Sequence, residues 1–432
     1  MRLLPRYCGR IIPVFLLLVS TAFAEPITFR RAVEAALKHS GTMAIAMADQ
    51  TKSFQTYLAA KDTYLPSVLF GSGIGYSFGI PLTIVGTAPA IFNVTTQQTL
   101  YDPSVRSAVE AAKVDWKASD LDMIDKKNAI ILDTAVIYTS LDHVSSKMKI
   151  LRDAYTAAQR AQFISSERLK EGVDSELDVK KSQLSAARIQ LALVQAESDA
   201  DVLRNQLSKL TGFPAGMIET VTESVPQTPD IPQDPDLPVQ AAENDPAVRL
   251  AFEKAKSAEL TAKSEHNKLL PAFDFGSQYA LLSTFNNYED VYKKFTRNNY
   301  TVGVNIRFNF INYAQRAAAQ AADADALKAR KVAENAKGDA EVAAMKQQRA
   351  LRQLAAARDV AKLEWEISQA GIDSAHARIE SGQATVRDEE LARLDANSRY
   401  ASYLDASLDL YKASVQMLKT TGKIQEWALG SK

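Results

Sequence analysis

The chain has 432 residues, with 51 Lys and Arg against 51 Asp and Glu, so its formal net charge is zero and it shows no basic footprint for nucleic acid. Cys8 is the only cysteine, which excludes a disulfide framework and, once the leader is removed, any thiol nucleophile or thiolate metal site. No segment after the leader is apolar enough to cross a bilayer as a helix, so any membrane insertion must use strands.

Residues 1–24 read as an export signal. Arg2, Arg6 and Arg10 precede an apolar run from Ile11 to Val19, and Ala22-Phe23-Ala24 is a small-residue cleavage site before Glu25. The apolar run is shorter than the ~20 residues a spanning helix needs, which argues against an uncleaved anchor. The signal holds three Arg and no acid, so the expected mature charge is 48 minus 51, or −3.

Phe29 to Tyr64 carries apolar residues at helical spacing, with a weak point at Ser40-Gly41, and reads as a helix ending before Leu65-Pro66. From Val68 the period changes to two: Val68, Phe70, Ile74, Tyr76 and Phe78 alternate with Leu69, Gly71, Gly73, Gly75 and Ser77. The glycines follow strand period and no helix follows them, so they are small residues on one face of a strand rather than a phosphate cradle. A second, weaker strand runs from Ile91 to about Tyr101. Asp102 is then a good N-cap and Pro103 a good first helical residue.

Between Arg106 and Gly172 there is neither proline nor glycine, and Ala, Leu, Lys, Gln, Asp and Glu dominate, as in a long helix. Sixty-six residues of helix reach roughly 100 Å, too far for a globular core to enclose. A returning helix is expected from about Ser175 to Leu210, stopped by Gly212 and Pro214. Pro226, Pro229, Pro232, Pro235 and Pro238 then recur every third residue, the period of polyproline II, and read as a semi-rigid spacer.

The second half repeats this order. Asp245-Pro246 opens a helix to Lys268, Leu270-Pro271 answers Leu65-Pro66, and a strand begins at about residue 272. From Tyr300 to Phe310 the alternation is clearest: Tyr300, Val302, Val304, Ile306, Phe308 and Phe310 share one face, while Thr301, Gly303, Asn305, Arg307 and Asn309 share the other. Eleven strand residues extend ~36 Å, which at a tilt near 45° covers an apolar band ~25 Å tall. The apolar face is therefore expected to meet lipid and the polar face a wet lumen. Leu100-Tyr101-Asp102-Pro103, Arg106, Gly172 and Thr211-Gly212 reappear as Phe310-Ile311-Asn312-Tyr313, Arg316, Gly382 and Thr421-Gly422, each displaced by 210 residues. Four strands cannot close a barrel, since small bacterial barrels use eight, so several chains must share one.

Helix, Leu-Pro, two strands, a strand-to-helix junction with Asp-Pro or Asn, long helix, glycine turn and returning helix, all occurring twice behind an export signal, resemble the TolC family of outer-membrane efflux and secretion channels. The resemblance covers Phe29 to Gly422. It implies a mainly α protein with membrane β: a duplicated helix-strand-strand-long helix-helix unit, forming a trimeric 12-stranded β-barrel that continues into a 12-helix α-barrel. The implied division is a signal peptide (1–24), a first repeat (25–212, strands about 67–78 and 91–101) and a proline-rich equatorial connector (213–243). A second repeat (244–422, strands about 272–282 and 300–310) and a tail (423–432) follow. The implied partners are a second and third copy, a periplasmic adaptor (membrane fusion) protein, an inner-membrane transporter of RND or ABC type, and outer-membrane lipid. No cofactor is implied.

The resemblance also selects the tip of the tunnel. Asp178 and Asp388, each six residues after a turn glycine, match gate aspartates of the family; six such carboxylates near one axis would repel and raise each other's pKa. The same acids, with Asp174, Glu176, Glu389 and Glu390, also suit the positive ends of helix dipoles. Leu391 stands where a second gate aspartate would be and Ala384 where a gate arginine would be, leaving Arg378 and Arg387 as candidate gate partners. Gly172, Ser175, Gly382 and Thr385 form the turns that would meet an adaptor.

Catalysis finds no support: His39, His143, His266 and His376 are scattered, and no nucleophile motif occurs. Glu364-Trp365-Glu366 reads as a solvated helix face. Two functions are open from the sequence, a passive exit duct and a periplasmic coiled-coil scaffold without a pore. The alternating strands and the fixed 210-residue displacement favour the duct.

Overall fold

A computed structural model of the chain describes residues 26–72, 90–229, 234–282 and 298–430. Residues 1–25, 73–89, 230–233, 283–297 and 431–432 lie outside the described residues, and with them the expectations for the signal, for Ile74, Tyr76 and Phe78, and for Pro232. The elements are α1 (Phe29–His39), α2 (Gly41–Asp62), β1 (Ser67–Gly71), β2 (Ala90–Tyr101), α3 (Pro103–Lys170) and α4 (Glu176–Thr211). They continue with α5 (Leu237–Asn244), α6 (Pro246–Asn267), β3 (Ala272–Leu282), β4 (Asn298–Arg307), α7 (Tyr313–Glu380), α8 (Val386–Thr420) and α9 (Ile424–Leu429). Mostly helix with one small sheet, the molecule is long and layered.

The two long helices are each 68 residues. α3 starts as its sequence dictates: Asp102 Oδ1 accepts from Ser104 N at 2.8 Å and Pro103 takes the first turn. α7 starts from Asn312, whose Oδ1 accepts from Gln315 N at 2.9 Å. Gly338 and Gly371 do not interrupt it; about 1 kcal/mol each is a small loss against so many good helix formers. Both helices end on a glycine in the left-handed region, Gly172 and Gly382, each with φ 74°.

Three readings need correction. The span 29–64 is two helices, because Ser40 is extended (ψ 122°) and its carbonyl starts α2 by accepting from Met43 N and Ala44 N. β4 ends at Arg307, three residues before Phe310: Arg307 pairs with Ala272, and Pro271 beyond it has no N–H to offer. The proline period does not continue as polyproline II to its end, because Pro238 lies in the first turn of α5, where a missing N–H costs nothing.

α3 is the spine of the helical layer. It packs on α2 and α6 toward the sheet and on α4 and α8 toward the glycine turns, while α7 packs on α6, α5 and α8. α4 and α7 thus lie on opposite sides of the α3/α8 pair. The largest core cluster lies midway along α3, where the chain ends converge. There the fully buried Tyr138 donates to Ile27 O at 2.6 Å and accepts from Val221 N at 2.8 Å. Phe29 meets the Tyr138 ring edge-on at 5.6 Å and the Trp427 ring of α9 at 5.4 Å. One tyrosine therefore joins the N-terminal segment, the connector and, through Phe29, the C-terminal helix into a belt on one side of α3. Trp365 is not a solvated bystander: it stacks on Tyr403 of α8 at 5.7 Å and 9°, and only Glu364 of its acids reaches an arginine, Arg399, at 2.8 Å.

The sheet order is β1-β2-β3-β4, antiparallel throughout. Its register decides what each face carries. Val304 pairs with Phe275, Tyr300 with Tyr279, Tyr279 with Val94 and Val94 with Phe70, and directly paired residues point to the same side. One face therefore carries aliphatic and aromatic side chains on all four strands, with Ser277, Thr96 and Gln98 among them. The other carries mainly amides, hydroxyls and glycine, with the Asp274 carboxylate in the row Asn305–Asp274–Thr99 and Leu69 at the β1 end of the row Thr301–Gln278–Thr95.

Candidate functional site: the helical tips and the two-faced sheet

At the far end from the sheet, two helical hairpins turn. Val173 N returns to Arg168 O at 2.9 Å and Gln383 N to Arg378 O at 2.8 Å, so the same backbone closure makes both turns. Ser175 and Asp178 form a reciprocal capping box: Asp178 N donates to Ser175 Oγ at 3.2 Å, and the Asp178 carboxylate takes Ser175 N–H and O–H at 3.2 and 2.6 Å. The Asp388 carboxylate takes Thr385 N–H at 2.8 Å and O–H at 2.9 Å. Gly172, Ser175, Gly382 and Thr385 are all exposed.

The candidate gate residues are partly brought together. Arg387, at the start of α8, reaches Asp178 at the start of α4, with Nη2 3.3 Å from Oδ1. The fold joins Arg387 across 209 positions to the other hairpin. Arg378 forms no ion pair among the described residues and acts on Asp388 only through space. The expected rise in carboxylate pKa is not found within the chain. Hydrogen bonds from Ser175, with Arg387 adding less, hold Asp178 below the ordinary carboxylate range, and those from Thr385 do the same for Asp388. Donors aimed at the charged form outweigh any mutual repulsion inside one protomer.

Sequence reasoning missed a second pair of contacts between the hairpins. Lys147 of α3 meets Asp405 of α8 at 2.9 Å, and His143 Nε2 lies 3.2 Å from the same carboxylate. They line a groove of about 600 Å³ between α3, α4 and α8. His143 follows Tyr138 by five residues, 140° around the helix, so the groove and the belt occupy different sides of α3. Only the helical period of α3 counted from Tyr138 could have signalled this.

At the sheet end, Tyr300, Val302, Val304 and Ile306 are exposed on the apolar face. Phe308 and Phe310 lie beyond the strand, also exposed, with their rings 5.8 Å apart. On the polar face Arg307 donates from Nε to Asp274 Oδ2 at 2.5 Å, and its Nη2 lies 3.7 Å from Asp102 Oδ2. The carboxylate that caps α3 thus also faces a strand of the other half. Among the described residues no group of His, Cys, Asp and Glu could hold a metal ion, and no helix is long and apolar enough to cross a membrane.

No curated protein matches the chain in sequence. The fold is that of solved outer-membrane channels. It is similar to the outer-membrane channel OprN (TM-score 0.74, 17% identity, 91% of this chain and 90% of that one). It is also similar to VceC of Vibrio cholerae (0.74, 14%, 91% and 96%) and to the CmeC channel of Campylobacter jejuni (0.73, 15%, 94% and 87%). Residues 32–213 match the family described as Outer membrane efflux protein. That family match lies in the first half of the chain, and the channel fold runs along nearly its whole length.

Proposed function

We propose that the protein is the outer-membrane exit duct of a tripartite efflux or type I secretion system, passing substrate passively from an inner-membrane pump and a periplasmic adaptor to the outside. The observation that carries this reading is the sheet: four strands with one apolar and one polar face, and with β1 and β4 left as open edges. An open edge leaves backbone donors and acceptors unpaired, which hydrocarbon does not tolerate, so the edges must be closed by copies of the same chain. Three copies give a 12-stranded barrel with Tyr300, Val302, Val304 and Ile306 toward lipid and Phe308 and Phe310 at the interface.

The helical layer supports the same closure. Leu177, Leu184 and Leu191 are exposed at seven-residue spacing on α4, and Val360, Leu363 and Ile367 are exposed at spacings of three and four on α7. Apolar stripes on opposite sides of one protomer suit a ring in which α4 of one copy packs on α7 of the next, giving a 12-helix tunnel. The two halves, 25–212 and 244–422, are then the repeats of a duplicated unit. Residues 213–243 and 423–432 form its equatorial belt, and residues 1–24 the removed signal. Asp178 and Asp388 form the carboxylate ring of the periplasmic gate, with Arg387 as the partner of Asp178 and Arg378 beside Asp388. The turns at Gly172, Ser175, Gly382 and Thr385 receive the adaptor, and the inner-membrane transporter, of RND or ABC type, supplies the energy.

Single-channel conductance of the purified full chain in planar bilayers, wild type against Asp178→Ala/Asp388→Ala, tests the reading. Discrete stable openings establish the pore, and higher conductance with lost divalent-cation block in the double variant places the gate. A folded, trimeric protein that never conducts would leave a scaffold without a pore.

A further inference from the structure

The polar face of the sheet is nearly free of charge. Among the described residues its only ionised side chains are Arg307 of β4 and Asp274 of β3, which the register sets at the end of the sheet nearest the long helices. Their exposure is unequal: the Arg307 side chain is 62% exposed and that of Asp274 only 6%. Asp102, the second carboxylate near the guanidinium, is also buried, at 12% for its side chain. Protein therefore covers the anions of this cluster, while its cation faces outward.

The guanidinium is also held in place. Nε is committed to Asp274 and one Nη points toward Asp102, which leaves N–H donors of a planar, always-charged group directed away from the two carboxylates. Asp102 is itself fixed by Ser104 N, Ser104 Oγ and Val105 N at the start of α3. A mobile lysine would sweep a volume; this cation is fixed at one height.

Resting on the duct reading above, we propose that Arg307 is the charge-selectivity residue at the foot of the barrel, a contact point for the anionic groups of whatever passes. Three copies place three fixed guanidinium groups around a polar lumen whose only other ionised side chain among the described strand residues is the buried Asp274, and rings of charged side chains set ion preference. Asp274 is a positioning residue, acting through the orientation of Arg307.

The test is the reversal potential of full-length channels under a KCl gradient, in wild type and in Asp178→Ala/Asp388→Ala so that the tip carboxylates do not mask the effect. Arg307→Gln is expected to raise the cation-over-anion permeability ratio by about threefold or more, less than the roughly tenfold at which charge focusing in a confined, low-dielectric cleft begins. Arg307→Lys should stay near wild type. If Arg307→Gln does not assemble, because it leaves Asp274 unpaired, Arg307→Gln/Asp274→Asn removes that charge and should still shift the ratio toward cations. Should wild type conduct while neither Arg307→Gln nor the paired variant moves the ratio, the inference is overturned and the duct stands. Absence of conductance in wild type would overturn both.

Discussion

The two hairpin tips close in the same way and are held differently. Each has a glycine at φ 74°, a backbone N–H returning to an arginine carbonyl, and a carboxylate reaching back over the first turn of the next helix. In the first tip Arg168 Nε also grips Asp174 at 3.0 Å, and that carboxylate is almost fully buried. In the second, Ala384 stands at the corresponding place and Arg378 has no ion pair among the described residues. The opposite ends of the long helices repeat the contrast, since Asp102 caps α3 and faces Arg307, whereas Asn312 caps α7 without a charge. Backbone closure and capping are thus sufficient to make each turn. The Arg168–Asp174 and Asp102–Arg307 pairs have no counterpart at the matching positions of the second half.

Removing the caps tests this contrast at its largest. Asp102→Ala deletes the acceptor for Ser104 and Val105 and one partner of Arg307, and is expected to cost about 2–3 kcal/mol. Asn312→Ala deletes a neutral cap and should cost about 1 kcal/mol. Thermal loss of the helical circular dichroism signal in detergent ranks the two, and equal shifts would mean that the charge at the first junction adds nothing. The turn glycines should behave alike instead. A Cβ at Gly172 or Gly382 meets no atom within 4 Å, so alanine costs only the left-handed backbone term, roughly 1–2 kcal/mol at either tip. Hydrogen exchange of the tip amides reads this directly, and a clear inequality would reveal a contact at one tip.

Much of this architecture was legible because it is local. Asp102-Pro103, the glycine-free run to Gly172 and the Ser175/Asp178 spacing each act within a turn or along one helix, and the alternation from Tyr300 onward marks a strand by its own period. What was not legible depends on pairing. Alternation carried the reading of β4 to Phe310, although hydrogen bonding stops where Pro271 fails to donate. Five evenly spaced prolines read as one extended run, although Pro238 serves a helix start equally well. Arg387 was a gate candidate with no particular partner and meets Asp178, while Arg307 meets Asp274 only through the β3–β4 register. Tyr138 gave no signal, since its partners Ile27 and Val221 lie 111 and 83 positions away.

Acid should separate the tips from the contact between α3 and α8. Asp178 and Asp388 have folded pKa values below ordinary, so their contribution is complete above the unfolded carboxylate value. It is lost only as pH falls through the lower folded one. Both tips should keep their exchange protection, corrected for intrinsic rates, from pH 7 to about 4 and lose it together below that. His143 has the opposite sign: burial pushes its pKa down, with Asp405 opposing. The unfolded chain therefore takes up the proton first, and stability falls as pH drops below about 6.5. Protection of α3 around His143 should weaken near pH 5–6 while the tips are unchanged, and His143→Gln should abolish that slope. A slope that survives the substitution would assign it to another group.

The smallest effect is the exchange of the tips themselves. Ala384→Asp offers Arg378 the partner that Arg168 already has, and Asp174→Ala removes that partner from the first tip. Arg168 is 42% exposed and can be rehydrated, and Asp174 Oδ2 is buried without a hydrogen bond. Losing the pair therefore sheds a desolvation cost together with the attraction. Each substitution should change local opening by no more than about 1 kcal/mol, the usual scale of a partly exposed ion pair. Exchange rates of the amides at residues 173–175 and 383–385 should converge between the two tips with either substitution alone and reverse their order when the two are combined. If Asp174→Ala alone frees the first tip as far as Gly172→Ala does, the ion pair rather than the backbone closure holds that turn.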